Sequence, residues 1–169
     1  MGGRTALDAD DIALRQRAAR VLAGASTTEL AECWAGWSDR PEVEYLRGPE
    51  SGLVMVQGRM GGSGDRFNLG EATVVRATAL VRGGALTSEY VGTSYVLGSD
   101  PERAGLAAVF QALLGDPVQR ERVLAQVIEP LQLRQSTDDA DSRAQAQATT
   151  VNFFTVAREN SGGAEEEDE

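Results

Sequence analysis

The sequence MVQGRMGGSGDRFNLGE, residues 55–71, leads from an extended apolar run into a loop that has three glycines in four positions. Arg59 and Arg66 flank this loop, and acidic residues are present at Asp65 and Glu71. Glycine at this density is typical of backbone that turns through positive φ or closely approaches another backbone or a ligand. The stretch therefore predicts a tight, charged turn between extended segments, and by itself it does not indicate a particular chemistry.

The residues around this turn predict an antiparallel sheet. Apolar residues alternate or form short extended runs in four segments, 42–47, 53–60, 71–82 and 86–97. Between the last two segments, Gly83-Gly84 predicts a two-residue hairpin, since glycine at both positions can adopt positive φ. Consecutive strands that are joined by short glycine turns are typical of a meander.

Two helices are predicted before the sheet. The first covers residues 8–24 and ends at Gly24, with acidic residues near its positive N-terminal end. The second begins after Ser26, because Ser26 and Glu29 have the spacing of a capping box. Its apolar stripe, with the spacing i, i+3, i+4, i+7, consists of Leu30, Cys33, Trp34 and Trp37. The two tryptophans are expected in the core or, as the alternative, at an interface with a partner.

Helices are also predicted after the sheet. Asp100-Pro101 supplies an N-cap and a first-turn proline, and Gly115-Asp116-Pro117 repeats this signal. The helix that follows is expected to end near Pro130, and residues 136–150 are helical by propensity alone. The apolar stripes expected on these helices are Leu106, Val109, Phe110, Leu113 and Leu114, and then Val123, Leu124, Val127 and Ile128. This order of elements predicts an α+β fold, an antiparallel β-meander of about four strands flanked by N-terminal and C-terminal helices.

The chain is expected to form a single domain, residues 11–158, between a flexible N-terminus, residues 1–10, and a disordered acidic tail, residues 159–169. Just before the tail, an apolar segment with Phe153 and Phe154 should dock on the chain's own sheet or on a partner. No run approaches the roughly 18 apolar residues of a membrane helix, and the first residues lack the apolar core of a secretory signal. We therefore expect a cytoplasmic location and no membrane contact.

The side chains that the sequence lacks exclude several kinds of catalysis. The chain has no histidine and no lysine, and all 16 of its basic residues are arginine. Histidine-based triads, imidazole-ligated metals, Schiff-base lysines and the P-loop lysine are thus excluded within this chain. The single cysteine, Cys33, cannot build a metal cage alone and is expected to be a packing residue. The net charge of -10 argues against nucleic-acid binding, so we predict no catalytic residue, no metal and no nucleic-acid partner.

The candidate functional residues lie in and beside the glycine loop. They are Arg59, Gly61, Gly62, Gly64, Asp65, Arg66, Gly70 and Glu71. The loop has no P-loop lysine, and it precedes a predicted strand rather than a helix whose N-terminus could hold a pyrophosphate. Two alternatives stay open, a structural turn or interface loop and an anion site that uses Arg59 and Arg66. A third alternative, a small hydrolase that pairs Asp65 with Glu71, would need a metal.

The residues of this motif resemble a known family. Residues 57–67, followed by residues 70–73 and 76–77, closely resemble the signature of the PhnG subunit of bacterial carbon–phosphorus lyase. The resemblance extends to residues 50–54, 92–97 and 151–158. It covers about residues 12–158, and its run Arg-Met-Gly-Gly-Ser-Gly-Asp-Arg-Phe is long enough to be specific.

The resemblance implies a cytosolic multisubunit system with which bacteria use phosphonates as a source of phosphorus. PhnG-like subunits assemble, in two copies, with PhnH-, PhnI- and PhnJ-like core subunits, and they act with a PhnL-like subunit that is similar to an ATPase. The system forms alpha-D-ribose 1-methylphosphonate 5-triphosphate from ATP and methylphosphonate. The iron–sulfur cluster and S-adenosylmethionine belong to a different subunit, so this chain is expected to bind no cofactor.

Together with the lack of catalytic side chains, the resemblance implies a non-catalytic assembly role for this chain. The glycine loop, Phe153 and Phe154 would then be contact surfaces. The alternative is an anion- or nucleotide-binding module that contributes Arg59 and Arg66 to a site shared with a partner subunit.

Overall fold

The computed structural model describes residues 9–148 of the chain. In chain order the elements are α1 (Ala9–Gly24), α2 (Thr27–Ala35), β1 (Glu42–Arg59), a 3-10 turn (Met60–Gly62), β2 (Arg66–Arg82), β3 (Tyr90–Leu97), α3 (Pro101–Leu113), α4 (Pro117–Val123), a π turn (Leu124–Ile128) and α5 (Glu129–Ala148). The prediction of an α+β fold is confirmed. The acidic tail, Phe153 and Phe154 lie outside the described residues, so the predictions made for them stay predictions.

The chain divides into two compact units, residues 1–135 and residues 136–169. The described part of the second unit, residues 136–148, is helical. The sheet, the core and the sites discussed below belong to the first unit. No helix within residues 9–148 has the length and apolar character needed to cross a membrane.

The sheet has three antiparallel strands in the order β1-β2-β3, so the meander has one strand fewer than the four segments predicted. The segments predicted as two strands, 42–47 and 53–60, are one strand in the structure, β1. Register shifts on both sides of Arg47 absorb Gly48-Pro49 into this strand. Proline donates no hydrogen bond, but an edge strand with a bulge tolerates it.

The two connections within the sheet also differ from the prediction. β2 begins at Arg66 rather than at residue 71, which shortens the glycine loop. The predicted two-residue hairpin at Gly83-Gly84 is wrong, because residues 83–89 form a longer loop and β3 begins only at Tyr90. Gly83 and Gly84 do adopt positive φ, at 71° and 60°, as the hairpin argument required. The residues that follow them do not return to the sheet at once.

The core lies between one face of the sheet and α3. Along β2 every second side chain is fully buried, namely Val75, Ala77, Ala79 and Val81. All residues from Ala104 to Leu113 of α3 are buried. The closest approach is at Gly92 of β3, where a Cβ atom would overlap the carbonyl oxygen of Ala108 and the amide nitrogen of Ala112. The helix backbone therefore rests directly on the strand, and only glycine fits at this position.

Trp34 of α2 and Trp37, which follows the end of that helix, join this core, as the first of the two alternatives predicted. The ring of Phe110 on α3 makes edge-to-face contacts with Trp34, at 6.1 Å between centroids, and with Trp37, at 5.8 Å. Trp37 is almost completely buried, and the guanidinium of Arg122 lies 4.1 Å from the centroid of its ring. Cys33 packs against the same core, and its burial raises the pKa of its thiol. A raised pKa disfavours the thiolate, which fits a packing residue rather than a nucleophile.

The predicted caps are confirmed. Ser26 and Glu29 form the capping box of α2, with the Ser26 amide donating to Glu29 Oε2 at 2.8 Å. Asp100 caps α3 by accepting the amide of Arg103 at 3.0 Å, and it also accepts the hydroxyl of Thr27 on α2. Asp116 caps α4. Asp100 therefore joins the ends of two helices that flank the core.

The prediction that the helix ends near Pro130 is wrong. The helix continues through Pro130 into α5, after a π turn at Leu124–Ile128 in which the amide of Glu129 bonds back to the carbonyl of Leu124. Proline clashes with the carbonyl four residues earlier in a regular helix, and a widened turn moves that carbonyl away. Local sequence does not reveal such a turn.

Replacing Gly92 with alanine is expected to destabilise the fold strongly. The added methyl group must push α3 away from β3, and overpacking of this kind costs about 1–3 kcal/mol or more. Gly52 is the matched control, because a Cβ there meets nothing within 4 Å. Urea denaturation of Gly92→Ala and Gly52→Ala measures both effects. Equal midpoints for the two variants would contradict the close contact between α3 and β3.

Asp100 is expected to make stability depend on pH. Its hydrogen bond from the Arg103 amide and the one from Thr27 lower the pKa of its carboxyl. A group whose pKa is lowered on folding adds stability above its unfolded pKa, and that contribution is lost as the pH falls through the folded pKa. Asp100→Ala should therefore cost about 1 kcal/mol at pH 7, as is usual for an N-cap.

The same comparison at acid pH completes this test. The difference in unfolding free energy between Asp100→Ala and the unchanged chain should shrink when the pH falls below the unfolded pKa of aspartate, about 3.9. Asp100→Asn keeps an acceptor for the cap and serves as the control. A difference of the same size at both pH values would show that the ionised carboxylate is not what stabilises the helix.

Candidate functional site

The first two strands extend well beyond the third. β3 ends at Leu97, whose register partner is Val74, so the earlier residues of β2 pair only with β1. Residues 53–73 thus form a two-stranded arm that continues from the sheet, with Leu53 opposite Thr73 at its base. The strands of the arm extend for roughly 20 Å at the usual rise per residue.

The arm exposes large apolar side chains. The most exposed are Met60 at 76%, Leu53 at 64% and Leu69 at 62%, and the others are Val54, Met55, Val56 and Phe67. A two-stranded ribbon is at best marginally stable alone in water. An exposed apolar surface of this kind is typical of an interaction site.

The sequence predictions missed this apolar surface. The four consecutive apolar residues 53–56 were the available signal, because a strand that is apolar at successive positions is typical of a strand buried on both faces. Within residues 9–135, helices cover one face of the sheet, and they do not extend over the arm. The pattern predicts that both faces of this strand are covered, and residues 9–135 do not supply the second cover.

The glycine loop is a tight turn at the tip of the arm. Gly61 and Gly62 adopt positive φ, 60° and 81°, as the glycine density predicted. Gly64 donates its amide to the carbonyl oxygen of Met60 at 2.9 Å, and a Cβ on Gly64 would approach that oxygen to 2.8 Å. Because these glycines are needed for the geometry of the turn, the structural-turn alternative accounts for them without a ligand.

Two of the predicted site residues lie well inside a strand, away from the glycine loop. Gly70 and Glu71 are inside β2, where Gly70 has φ 150° beside the register shift at Val56 and Gln57. Glu71 is opposite Met55, whereas Asp65 lies in the turn, roughly 20 Å away along the extended chain. The two carboxylates therefore do not form the pair that a hydrolase would need. No group of metal-binding side chains occurs within residues 9–148.

Arg59 and Arg66 lie directly opposite each other where the arm meets its turn. Arg59 donates to the carbonyl oxygen of Gly64 at 3.1 Å. Within residues 9–148, neither arginine forms an ion pair. Both line a shallow depression of about 310 Å³, together with Gln57 and Gly58. Like charges directly opposite each other destabilise a strand pair unless an anion compensates them.

Arginines elsewhere on the sheet do have acidic partners. Arg76 binds Glu50, and Arg82 binds Glu42 and Glu44 at 3.0 and 3.1 Å. The hydrogen bonds from these arginines lower the pKa of Glu50 and the pKa of Glu42. The arginines of the arm thus differ from the other arginines of the sheet, because neither forms an ion pair within residues 9–148.

The comparisons with known proteins agree on one family. A family model described as phosphonate metabolism protein PhnG matches residues 13–159. A relative from Rhizobium meliloti (strain 1021), named alpha-D-ribose 1-methylphosphonate 5-triphosphate synthase subunit PhnG, is 44% identical over 147 residues. The aligned part covers 87% of this chain and 90% of the relative.

These matches identify a protein of phosphonate metabolism. The chain belongs to the PhnG family. The resemblance inferred from residues 57–67 and the residues around them is confirmed, and the arm formed by residues 53–73 carries most of that motif.

Proposed function

We propose that this chain is a non-catalytic assembly subunit of the synthase that makes alpha-D-ribose 1-methylphosphonate 5-triphosphate from ATP and methylphosphonate. The name and the high coverage of the relative support this activity for the complex. The observation that carries the assembly role is the arm of residues 53–73, with exposed apolar side chains. Its partners would be PhnH-, PhnI- and PhnJ-like core subunits and a PhnL-like subunit, with two copies of this chain in a cytoplasmic complex.

The assembly role follows from the energetics of the arm. Each Å² of apolar surface removed from water stabilises by about 25 cal/mol, so covering the exposed leucine, methionine and phenylalanine side chains of the arm would favour association. The fold of the first unit does not supply that cover within the described residues. A partner surface of complementary shape would do so, and it would also order the ribbon.

The non-catalytic role follows from the side chains. A chain without histidine or lysine lacks the usual general base and amine nucleophile at neutral pH. Asp65 lies in the turn and Glu71 lies inside β2, so the two carboxylates are separated, and burial raises the pKa of the Cys33 thiol. In the complex, the chemistry would therefore belong to other subunits, and neither the iron–sulfur cluster nor S-adenosylmethionine would be bound by this chain.

Charged substitutions on the arm are expected to prevent assembly without unfolding the chain. Leu53→Glu and Met60→Glu, made separately, place a charge on an exposed apolar position. The recovery of PhnI- and PhnH-like partners in co-purification should fall at least about tenfold, because a desolvated charge at an interface costs several kcal/mol. The melting temperature of the isolated variants should stay unchanged.

Val118→Glu is the control for this experiment, because Val118 is 60% exposed on α4, outside the arm. It should leave co-purification intact. Full recovery of partners with both arm variants would refute the assembly role of the arm. Release of adenine from ATP by the isolated chain in the presence of methylphosphonate would refute the non-catalytic role.

The unpaired arginines favour a second candidate function. In the complex, Arg59 and Arg66 would contribute to a site for a phosphate or phosphonate group that is shared with a partner subunit. Guanidinium groups bind such oxyanions through paired hydrogen bonds, and these two face each other without an acidic partner in the described chain.

Arg66→Ala tests this second function in the purified complex. If Arg66 binds the triphosphate, the variant should raise the KM for ATP about tenfold or more, since a charge-assisted hydrogen bond is worth about 1.5–3 kcal/mol. Arg20→Ala is the control, because Arg20 is exposed on α1, away from the arm. An unchanged KM in an intact complex would reject the shared anion site and leave the assembly role in place.

A further inference from the structure

The outer edge of β3 is straight and uncharged. β3 pairs with β2 through eight consecutive residue pairs without a register shift. Its sequence, YVGTSYVL, has no charged residue and no proline. No strand within residues 9–148 pairs with its other side. A free edge of this kind is a template for another strand, and proteins usually disrupt it with charges, prolines or bulges.

The opposite edge of the sheet shows such protection. β1 contains Pro49 and three register shifts, and it carries Glu42, Glu44 and Glu50. Each of these features discourages the addition of another strand. Only one of the two edges of this sheet is therefore suited to pairing.

A small depression opens beside the β3 edge, between α1 and α3. It has a volume of about 130 Å³, enough for one medium-sized apolar side chain. Its lining includes Ala19 and Leu22 of α1, Ala107 of α3 and the four consecutive β3 residues 93–96. Since successive side chains of a strand point to opposite faces, four consecutive lining residues place the depression along the strand edge rather than on one face.

Gln111 contributes to this depression a polar group that lacks a hydrogen-bond partner within residues 9–148. The side chain is 8% exposed, and its Nε2 atom has no hydrogen-bond partner within residues 9–148. A buried amide without a partner costs free energy that a suitable partner recovers. Rotation of the amide exchanges its nitrogen and oxygen at little steric cost. The Gln111 side chain can therefore donate a hydrogen bond to a carbonyl group or accept one from an N–H group.

We propose that the β3 edge binds an extended segment of a partner subunit as a fourth strand of the sheet. The free backbone groups of β3 pair with the backbone of this segment. One apolar side chain of the segment fills the depression between α1 and α3, and a backbone group beside it bonds to Gln111. Backbone pairing supplies affinity and the depression supplies specificity, as in other cases of strand addition.

The occupant is a segment of another protein rather than a second copy of this chain. Two copies that paired through their β3 edges would bring together two chains, each with a net charge of -10, and like charge opposes such contact. This inference rests on the proposed function, because that function provides the partner subunit. The β3 edge is a surface separate from the arm of residues 53–73.

Hydrogen exchange in the full chain, alone and in the purified complex, tests the proposal. The amides of residues 90–97 should exchange at least about tenfold more slowly in the complex, since a new strand protects them. Slower exchange of the amides of residues 53–73 in the complex would show separately that a partner contacts the arm. If the complex forms and the arm alone is protected, strand addition is refuted while the assembly role stands. If no complex forms with the proposed partners, both proposals fail.

Two variants test the depression itself. Ala19→Leu fills it from the exposed side of α1 and should weaken the complex at least about tenfold without lowering the melting temperature of the isolated chain. Ala13→Leu, an exposed position on the same helix that does not line the depression, is the control.

Gln111→Leu separates binding from folding. It removes a buried group without a partner and should leave the isolated chain as stable or more stable, while it weakens the complex about threefold to tenfold. Unchanged affinity with both Ala19→Leu and Gln111→Leu would overturn the proposal. Protection of residues 90–97 that grows with the concentration of the isolated chain and disappears in Ala19→Leu would identify a second copy as the occupant, which also overturns it.

Discussion

The contact between the backbone of α3 and β3 at Gly92 determines the arrangement of the first unit. Because the strand has no side chain there, α3 lies directly on the sheet, and the small residues Ala108 and Ala112 meet it. The helix can then bury its whole middle section against β2 and β3. Within residues 9–135, this single packed layer leaves the other face of the sheet, the β3 edge and the arm without a covering helix.

This one-sided core explains why the chain is suited to association. Helices cover the part of the sheet where all three strands are present, and β1 and β2 continue past them as the arm. On the uncovered face, Arg76 and Arg82 are neutralised by glutamates. The arm instead exposes large apolar side chains, and its two arginines have no acidic partner within residues 9–148, so we expect the contacts proposed above to form there.

Local signals in the sequence predicted much of the fold. The caps at Ser26, Asp100 and Asp116 were predicted because each depends on a few adjacent residues, and the buried stripe around Phe110 followed from helical spacing. Three details depended on packing or pairing elsewhere in the chain and were missed. Bulges absorb Pro49 into β1, a π turn carries the helix past Pro130, and the loop after Gly84 delays β3.

The candidate site was predictable only in part. The positive φ of Gly61 and Gly62 followed from composition, since few other residues tolerate it. That Arg59 and Arg66 face each other required the register between β1 and β2, which neither residue reveals alone. The apolar surface of the arm was missed because alternation was taken to mean one buried face, although residues 53–56 are apolar at every position.

The straight, uncharged edge of β3 has a consequence for the cell that makes this chain. An orphan subunit would expose this edge to every other unfinished or surplus polypeptide, and unprotected strand edges promote cross-β aggregation. Synthesis in step with the other subunits, or rapid removal of the surplus, would then be as important for this protein as its affinity for them.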